Sequence, residues 1–536
     1  MGKRIPDNLL EEFSGFIEVN MGLSFPKEKW AELEKGLQSV CKQYGSDNEE
    51  TFAQHVMSSA LSKRQIEMLA AALTVGETYF FREKNTLDAF EYLVLSEWIR
   101  MRRGKDQRLR IWSAGCSSGE EPYSIAIILK MLLPDLKDWN ISILATDINP
   151  HFLEKAVKGV YTSWSFRDVP ERINSQFFIK KEGGFEILPV IKEMVTFSYL
   201  NLMKDEYPSL LNNTNAMDVI FCRNVLMYFS PENIKTVVQK FHRCLTEGGL
   251  LVVSQTELND EYFKGFGKAT HAGAMLFRKS DIRAEKKAYK PEITTRTAAP
   301  LYTQRMEEIK AFVMEKKTEI ARKPAKKEAP PVVPAQDLYE NASKAYEQGE
   351  YNNAEEILGS LLEGNPGNAK ALSLMARVCA NQGRLDDALR HIEEAIKADN
   401  MKPGCHYLHS AILKEKGLKQ EAMASLKKAV YLDADFALAY FAMGNLALGS
   451  GNRVEAERHF NNALLLLRKH GYDDILPESE GLTAGRLIDL IESMKWRKKD
   501  RDQGSEVSCW PPNPGPRPRC LINLEAKTWK IRKNAR

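Results

Sequence analysis

The sequence predicts an α/β protein in three parts: a helical amino-terminal domain, a parallel sheet covered by helices, and an all-helical repeat array. Three observations carry this. Residues from about 91 to 280 alternate short β-rich runs with helical ones, an order that implies parallel strands with helices on both faces. The first 90 residues hold only helical patterns. After about residue 334 the chain repeats itself at a constant step of 34 residues.

The chain has 536 residues, enough for two to four domains that each bury a core. Hydrophobic residues make up 43% and charged residues 28%, an ordinary soluble profile. A net charge of +4 is close to balance and gives no argument for a nucleic-acid partner. The eight cysteines are scattered without a CxxC pair, so neither a metal site nor a dithiol is signalled and no metal is expected. The opening "MGKRIPDNLLEEFSGF" reaches acidic residues before any apolar core of signal-peptide length. Nowhere do about 18 apolar residues run unbroken, so no membrane insertion is expected and the cytoplasm is the expected location.

Residues 1–90 contain "DNLLEEFSGFIEVNMG", "KEKWAELEKGLQSVCKQYG", "NEETFAQHVMSS" and "KRQIEMLAAALTV", divided by helix breakers. In 91–280 the strand candidates are "LRIWSA", "ISILATD", "MVTFSYL", "DVIFCR" and "GLLVVSQ". Helices such as "EPYSIAIILKMLL", "HFLEKAVKG" and "PENIKTVVQKFHRCLT" lie between them. Residues 281–334, rich in Lys, Ala and Pro, read as a flexible linker, with one helix conceivable at "TQRMEEIKAFVMEKKTEI". In 335–470, Gly349, Gly383, Gly417 and Gly451 keep the 34-residue step, as do Ala354, Ala388, Ala422 and Ala456. Glycine opens the turn and alanine lets two helices approach closely. Four such units resemble the tetratricopeptide repeat. Residues 471–497 read as a capping helix and 498–536 as a disordered basic tail.

The chemistry concentrates in "IWSAGCSSGEEPYSIA", which reads as strand, glycine loop and helix. Gly115 lets the backbone approach a nucleotide, and the helix end offers free N–H groups, so the sheet is Rossmann-like. Glu120 and Glu121 count against a pyrophosphate, which they would repel. S-adenosylmethionine, with its ammonium and sulfonium, suits them better; the plainer alternative is that both acids only favour the helix dipole. Between the two, Glu120 is favoured as nearer the glycine turn. Asp147 ends the next strand, where an acid can hold ribose hydroxyls or cap the helix that follows. Arg223 and Asn224 in "FCRNVLMYF" fall at a strand's carboxyl end, where ligands of open α/β sheets lie; Arg223 could equally pair with a surface acid. The stretch "GETYFFRE" packs a threonine, three aromatics and an arginine together; in a helix, Thr78 and Arg82 would share a face.

Together "TYFFRE", "SAGCSSGEEPYSIA", "ATDINPHFLEKAVKGVY", "FSYLNL", "VIFCRNVLMYF" and "LTEGGLLVVSQTE" resemble the chemotaxis receptor methyltransferase family, the CheR type, over residues 5–280. The resemblance implies methyl transfer from S-adenosylmethionine to glutamate carboxylates on cytoplasmic helices of chemoreceptors. It implies cofactor contacts at Thr78 and Arg82, with the arginine clamping the methionine carboxylate. It also implies Asn201 and Leu202 beside the adenine, and Arg223 and Asn224 near the cofactor. Tyr228 and Arg103 are the candidates for orienting the incoming carboxylate. The family usually has asparagine where Gly76 stands. Residues 170–197 look like the family's small β insertion, which grips a receptor tether in some members. Here the hairpin is short and lacks the Gly-Pro and Arg pattern of tether binding, so recognition independent of a tether is expected. The repeat array is expected to bind a further protein partner and to hang from the linker as a tether. The alternative in a different class is a non-catalytic scaffold that keeps the cofactor fold.

Overall fold

The computed structural model describes residues 5–46, 48–58, 61, 63–92, 96–271, 273–279 and 335–492. The expected linker, its conceivable helix, the end of the capping segment and the basic tail lie outside these residues. Four amphipathic helices open the chain: Asp7–Met21, Trp30–Tyr44, Glu49–Met57 and Lys63–Leu73. Phe13, Ile17, Leu33, Leu37 and Phe52 form their shared core. No helix among the described residues is long and apolar enough to cross a membrane.

The central sheet contains β1 (Arg108–Ala114) and β2 (Asn140–Asp147), followed later by β6 (Val195–Tyr199), β7 (Met217–Phe221) and β8 (Leu245–Val252). These five strands run parallel in the order β6-β2-β1-β7-β8. β1 is buried along its whole length because helices cover both faces. Its residues alternate accordingly. Leu109 and Ile111 pack with Ile125, Ile127 and Leu129 of the helix Glu120–Leu132, whereas Trp112 and Ala114 pack with Ile234 and Phe241 of Pro231–Cys244.

A purely parallel sheet is expected from the motifs, but two antiparallel strands extend it: β9 (Phe266–His271) and β10 (Ala274–Lys279). In β9 the side chains are at best half-buried, so no apolar alternation marks it. A separate three-stranded sheet of β3 (Val160–Tyr161), β5 (Gly184–Ile187) and β4 (Phe178–Lys181) forms the small insertion.

Four helix pairs follow, beginning with Ala335–Glu347 and Tyr351–Gly364 and ending with Ala437–Gly449 and Arg453–Leu467. The four periodic glycines all adopt left-handed φ between 77° and 81°. The four periodic alanines are buried where each pair closes. A helix over residues 484–492 ends the array.

The array does not stand apart. Its turns press on the amino ends of the strands: Arg108 Nη2 donates to Gly383 O at 3.0 Å and Asn140 Nδ2 to Glu415 O at 2.9 Å. Asn215 Nδ2 donates to Glu415 Oε1 at 2.8 Å, and both Arg108 and Arg110 lie 3.8 Å from Glu415 Oε2. Arg243 adds a bond to Glu347 O at 3.1 Å. A tethered array has no need of such buried contacts, and these lie away from the carboxyl ends of β1 and β2.

Candidate active site

Sheet order reverses between β1's two neighbours, β2 and β7, which opens a crevice outside the carboxyl ends of these strands. Gly115 leaves β1 at φ 79°, and its N–H donates to Thr146 O at 2.7 Å. A Cβ there would meet Val225 at 2.4 Å, so only glycine lets the two loops close together. Asp147 ends β2 and is 8% exposed. Its Oδ2 accepts the N–H of Ser117 and its Oδ1 that of Asn149, both at 2.8 Å. Burial pushes its carboxyl up to about 6, with the backbone N–H bonds pulling the other way. The carboxylate keeps acceptor capacity for a ligand, and Ser117 Oγ is buried at the same spot without a hydrogen-bond partner.

The "GETYFFRE" segment is not helical. It crosses the crevice as a turn, with Phe81 and Glu83 at left-handed φ of 59° and 53°. The expected shared helical face of Thr78 and Arg82 therefore does not form, yet both residues line the cleft. The segment is tied down at its rings: Phe80 N donates to Ser165 O and Phe81 N to Ser124 Oγ, each at 3.0 Å. Phe80 is fully buried among Tyr161, Phe166 and Phe178, while Tyr79 and Phe81 line the cleft. Arg82 donates from Nη1 to Glu77 O at 2.7 Å and lies 5.8 Å from the Tyr79 ring. At Gly76 a Cβ would meet the Phe152 ring at 2.3 Å, so that ring fills the space of the family's usual asparagine.

Glu121 lines the cleft and Glu120 does not. Glu120 is buried, accepting from Ser118 Oγ at 2.8 Å and Ser165 Oγ at 3.0 Å; desolvation raises its pKa. Glu121 accepts from Ser113 Oγ at 2.7 Å and Arg223 Nη1 at 3.1 Å. Arg223 is buried, pairs also with Glu83 at 3.5 Å and donates to Arg82 O. Its partners are thus the acids of the cleft and the crossing segment rather than a surface acid. The guanidinium locks that segment to the end of β7.

Asn224 sits at φ 58° and lines the cleft with Tyr228 and Leu202. Glu257 holds this loop and was assigned no role from sequence. Its Oε1 accepts from Val225 N (2.7 Å) and Met227 N (3.2 Å), its Oε2 from Asn224 N (2.9 Å) and Ser254 N (3.0 Å). Four converging N–H donors need a carboxylate, and the only sequence signal was an acid closing the "SQTE" run. Burial raises the Tyr228 phenol, with the charge of Arg82 opposing. Asn201 is buried and does not line the cleft; its Oδ1 accepts from Met203 N at 3.0 Å, shaping the turn that carries Leu200 and Leu202 into the wall. Arg103 lies elsewhere, paired with Asp135 at 2.8 Å. The structure therefore gathers Thr78, Arg82, Gly115, Asp147, Leu202, Arg223, Asn224 and Tyr228 into one cleft, and leaves Glu120, Asn201 and Arg103 off its wall.

An acid with spare acceptors at the end of β2, an unpartnered hydroxyl beside a glycine turn and an arginine at the mouth fit an adenosyl group joined to an amino acid. That is the chemistry of the expected S-adenosylmethionine. The family described as "CheR methyltransferase, SAM binding domain" matches residues 76–271, and a tetratricopeptide repeat family matches 345–412. Chemotaxis protein methyltransferase 2 of Vibrio cholerae is 37% identical over 197 residues, covering 37% of this chain and 67% of that protein. Chemotaxis protein methyltransferase 1 of Pseudomonas aeruginosa is 34% identical over 253 residues, covering 46% and 89%. A Borreliella burgdorferi chemotaxis protein methyltransferase is 30% identical over 253 residues, covering 46% and 88%. The chain belongs to the chemotaxis protein methyltransferase family.

Proposed function

We propose that this protein methylates glutamate side-chain carboxylates of methyl-accepting chemoreceptors in the cytoplasm, leaving glutamate methyl esters and S-adenosylhomocysteine. The observation that carries the reading is the single cleft at the carboxyl edge. Asp147, Arg82 and Tyr228 all line it, which supports reading the first as the ribose acceptor and the others as contacts of the methionine end and the incoming carboxylate. Bound S-adenosylmethionine supplies an electrophilic methyl on a good leaving group. A glutamate carboxylate is already ionised at neutral pH, so its oxygen displaces sulfur at the methyl carbon and the C–S electrons return to sulfur. No proton moves, so the step needs no general base. The protein's work is alignment and electrostatics.

In this reading Asp147 holds the ribose, Leu202 flanks the adenine, and Thr78 and Arg82 hold the methionine end. Glu121 is the better placed of the two acids to favour the ammonium and sulfonium, through a side chain that also answers Arg223. Asn201, Glu257 and Arg223 position the loops. Tyr228 orients the incoming carboxylate. Arg103 has no support as its partner, since it does not line the cleft and pairs with Asp135. The four-residue strands of the insertion's hairpin favour receptor recognition without a tether, leaving the array to select a protein partner.

The test is transfer of tritiated methyl to membranes bearing candidate receptors, counted as alkali-labile volatile label. Label that appears with wild-type protein and vanishes with Asp147→Ala supports the reading. Alkali-stable label, or none from a protein that binds S-adenosylhomocysteine, would contradict it.

A further inference from the structure

The polar contacts described between the array and the sheet run to the amino ends of the strands, away from the cleft. One more contact runs to the other edge. Arg486, on the helix 484–492 that ends the array, donates from Nη2 to Asp205 Oδ2 at 2.7 Å. Its guanidinium also stacks 4.3 Å from the ring of Tyr199, the last residue of β6. Both members of the ion pair are largely withdrawn from water, with side chains 20% and 19% exposed. The same Asp205 oxygen accepts the backbone N–H of Asn201 at 2.7 Å. Asn201 in turn donates from Nδ2 to Asn20 O at 2.8 Å, at the end of the first helix. Leu200 and Leu202, on either side of Asn201, form part of the cleft wall.

We propose that Arg486 is a positioning residue for cofactor binding: the array's last helix holds the Leu200–Leu202 turn in its binding shape through Asp205. The inference rests on reading the cleft as the S-adenosylmethionine site. A carboxylate that serves a backbone N–H and a guanidinium at once is held in place by the second as well as the first. Removing the guanidinium frees Asp205 to follow solvent, and the turn loses the anchor at its far end. Because coupling between sites is reciprocal, a partner that shifts the helix 484–492 changes cofactor affinity, and bound cofactor changes partner affinity by the same factor.

The experiment titrates S-adenosylhomocysteine into full-length protein by calorimetry, with melting temperatures measured alongside. Arg486→Ala should raise the dissociation constant about five- to tenfold, the lower end of typical coupling. Asp205→Asn should act in the same direction. Arg243→Ala, which removes an array contact remote from the cleft, should lower the melting temperature and leave the dissociation constant unchanged. Arg486→Gln, which keeps the stem's packing, supplies the reading if the alanine variant does not fold. Wild-type affinity in the Arg486 and Asp205 variants would overturn the inference, as would an equal loss in Arg243→Ala. Wild-type protein that binds no S-adenosylhomocysteine would instead overturn the reading of the cleft, and this inference with it.

Discussion

The two edges of the sheet are both dense in charge, yet they differ in what the charges face. At the amino edge, Arg102 meets Asp218 at 2.7 Å and 3.0 Å, and Arg108 and Arg110 converge on Glu415. The first pair lies within the sheet domain, and only Arg108 and Arg110 face a carboxylate of the repeat array across the seam. At the carboxyl edge, Asp147 and Ser117 keep bonding capacity beside open space, and Arg82 is tied by its side chain to a backbone carbonyl at the mouth. Charge alone therefore does not mark a site. Unspent hydrogen-bonding capacity next to a void does.

Substitutions at the two edges should separate stability from binding. The largest effect is expected at the seam. Glu415→Ala removes the array carboxylate that faces two buried guanidinium groups and should cost about 3 kcal/mol of unfolding free energy, read from the denaturant midpoint, while cofactor affinity holds. At the other edge, on the proposed reading Asp147→Ala removes charge-assisted bonds to the ribose, each worth about 1.5–3 kcal/mol. Calorimetry should show S-adenosylhomocysteine binding weakened about a hundredfold or more, with most of the fold's stability kept.

Gly76→Asn restores the family's usual residue but drives its Cβ into Phe152, and overpacking of this kind costs about 1–3 kcal/mol. Pairing it with Phe152→Ala should recover much of that loss in a melting curve. If Arg82 clamps the methionine carboxylate as proposed, Arg82→Ala should weaken binding by more than about tenfold, leaving the melting temperature of the free protein near wild type.

The mildest effect is that of pH. Asp147's carboxyl is raised from 3.8 to about 6 by burial, so the folded state holds its proton longer than the unfolded one. Its contribution to stability therefore falls as pH rises from about 4 to 6. On the proposed reading ligand affinity runs the other way, because the ionised form would hold the ribose. Affinity should weaken as pH drops below about 6, approaching tenfold per unit, and Asp147→Asn should flatten that dependence.

The repeat array was legible almost residue by residue, because its periodic glycines and alanines encode contacts between neighbours in the chain. The five parallel strands were legible for a related reason: each is a short apolar run bounded by turn residues. The site was legible in membership and not in geometry. Asp147 and Gly115 announce themselves by their place after a strand. The choice between Glu120 and Glu121 depends on Ser165 and Arg223, 45 and 102 residues away from them. Likewise the "FFRE" turn is set by partners at Ser124, Ser165 and Arg223 rather than by local propensity, which is why a helical spacing misleads there. The docking of the array is a non-local event too, since no local pattern in the chain tells Arg108 that Gly383 lies opposite.

The rise in melting temperature that S-adenosylhomocysteine produces tests the division of the two edges most directly, because only ligand bound to the folded state produces it. Wild-type protein and Glu415→Ala should show the same rise from different starting temperatures, and Asp147→Ala should show almost none. A full rise in Asp147→Ala, or its loss in Glu415→Ala, would contradict the assignment of binding to the carboxyl edge and of the Glu415 seam to stability alone.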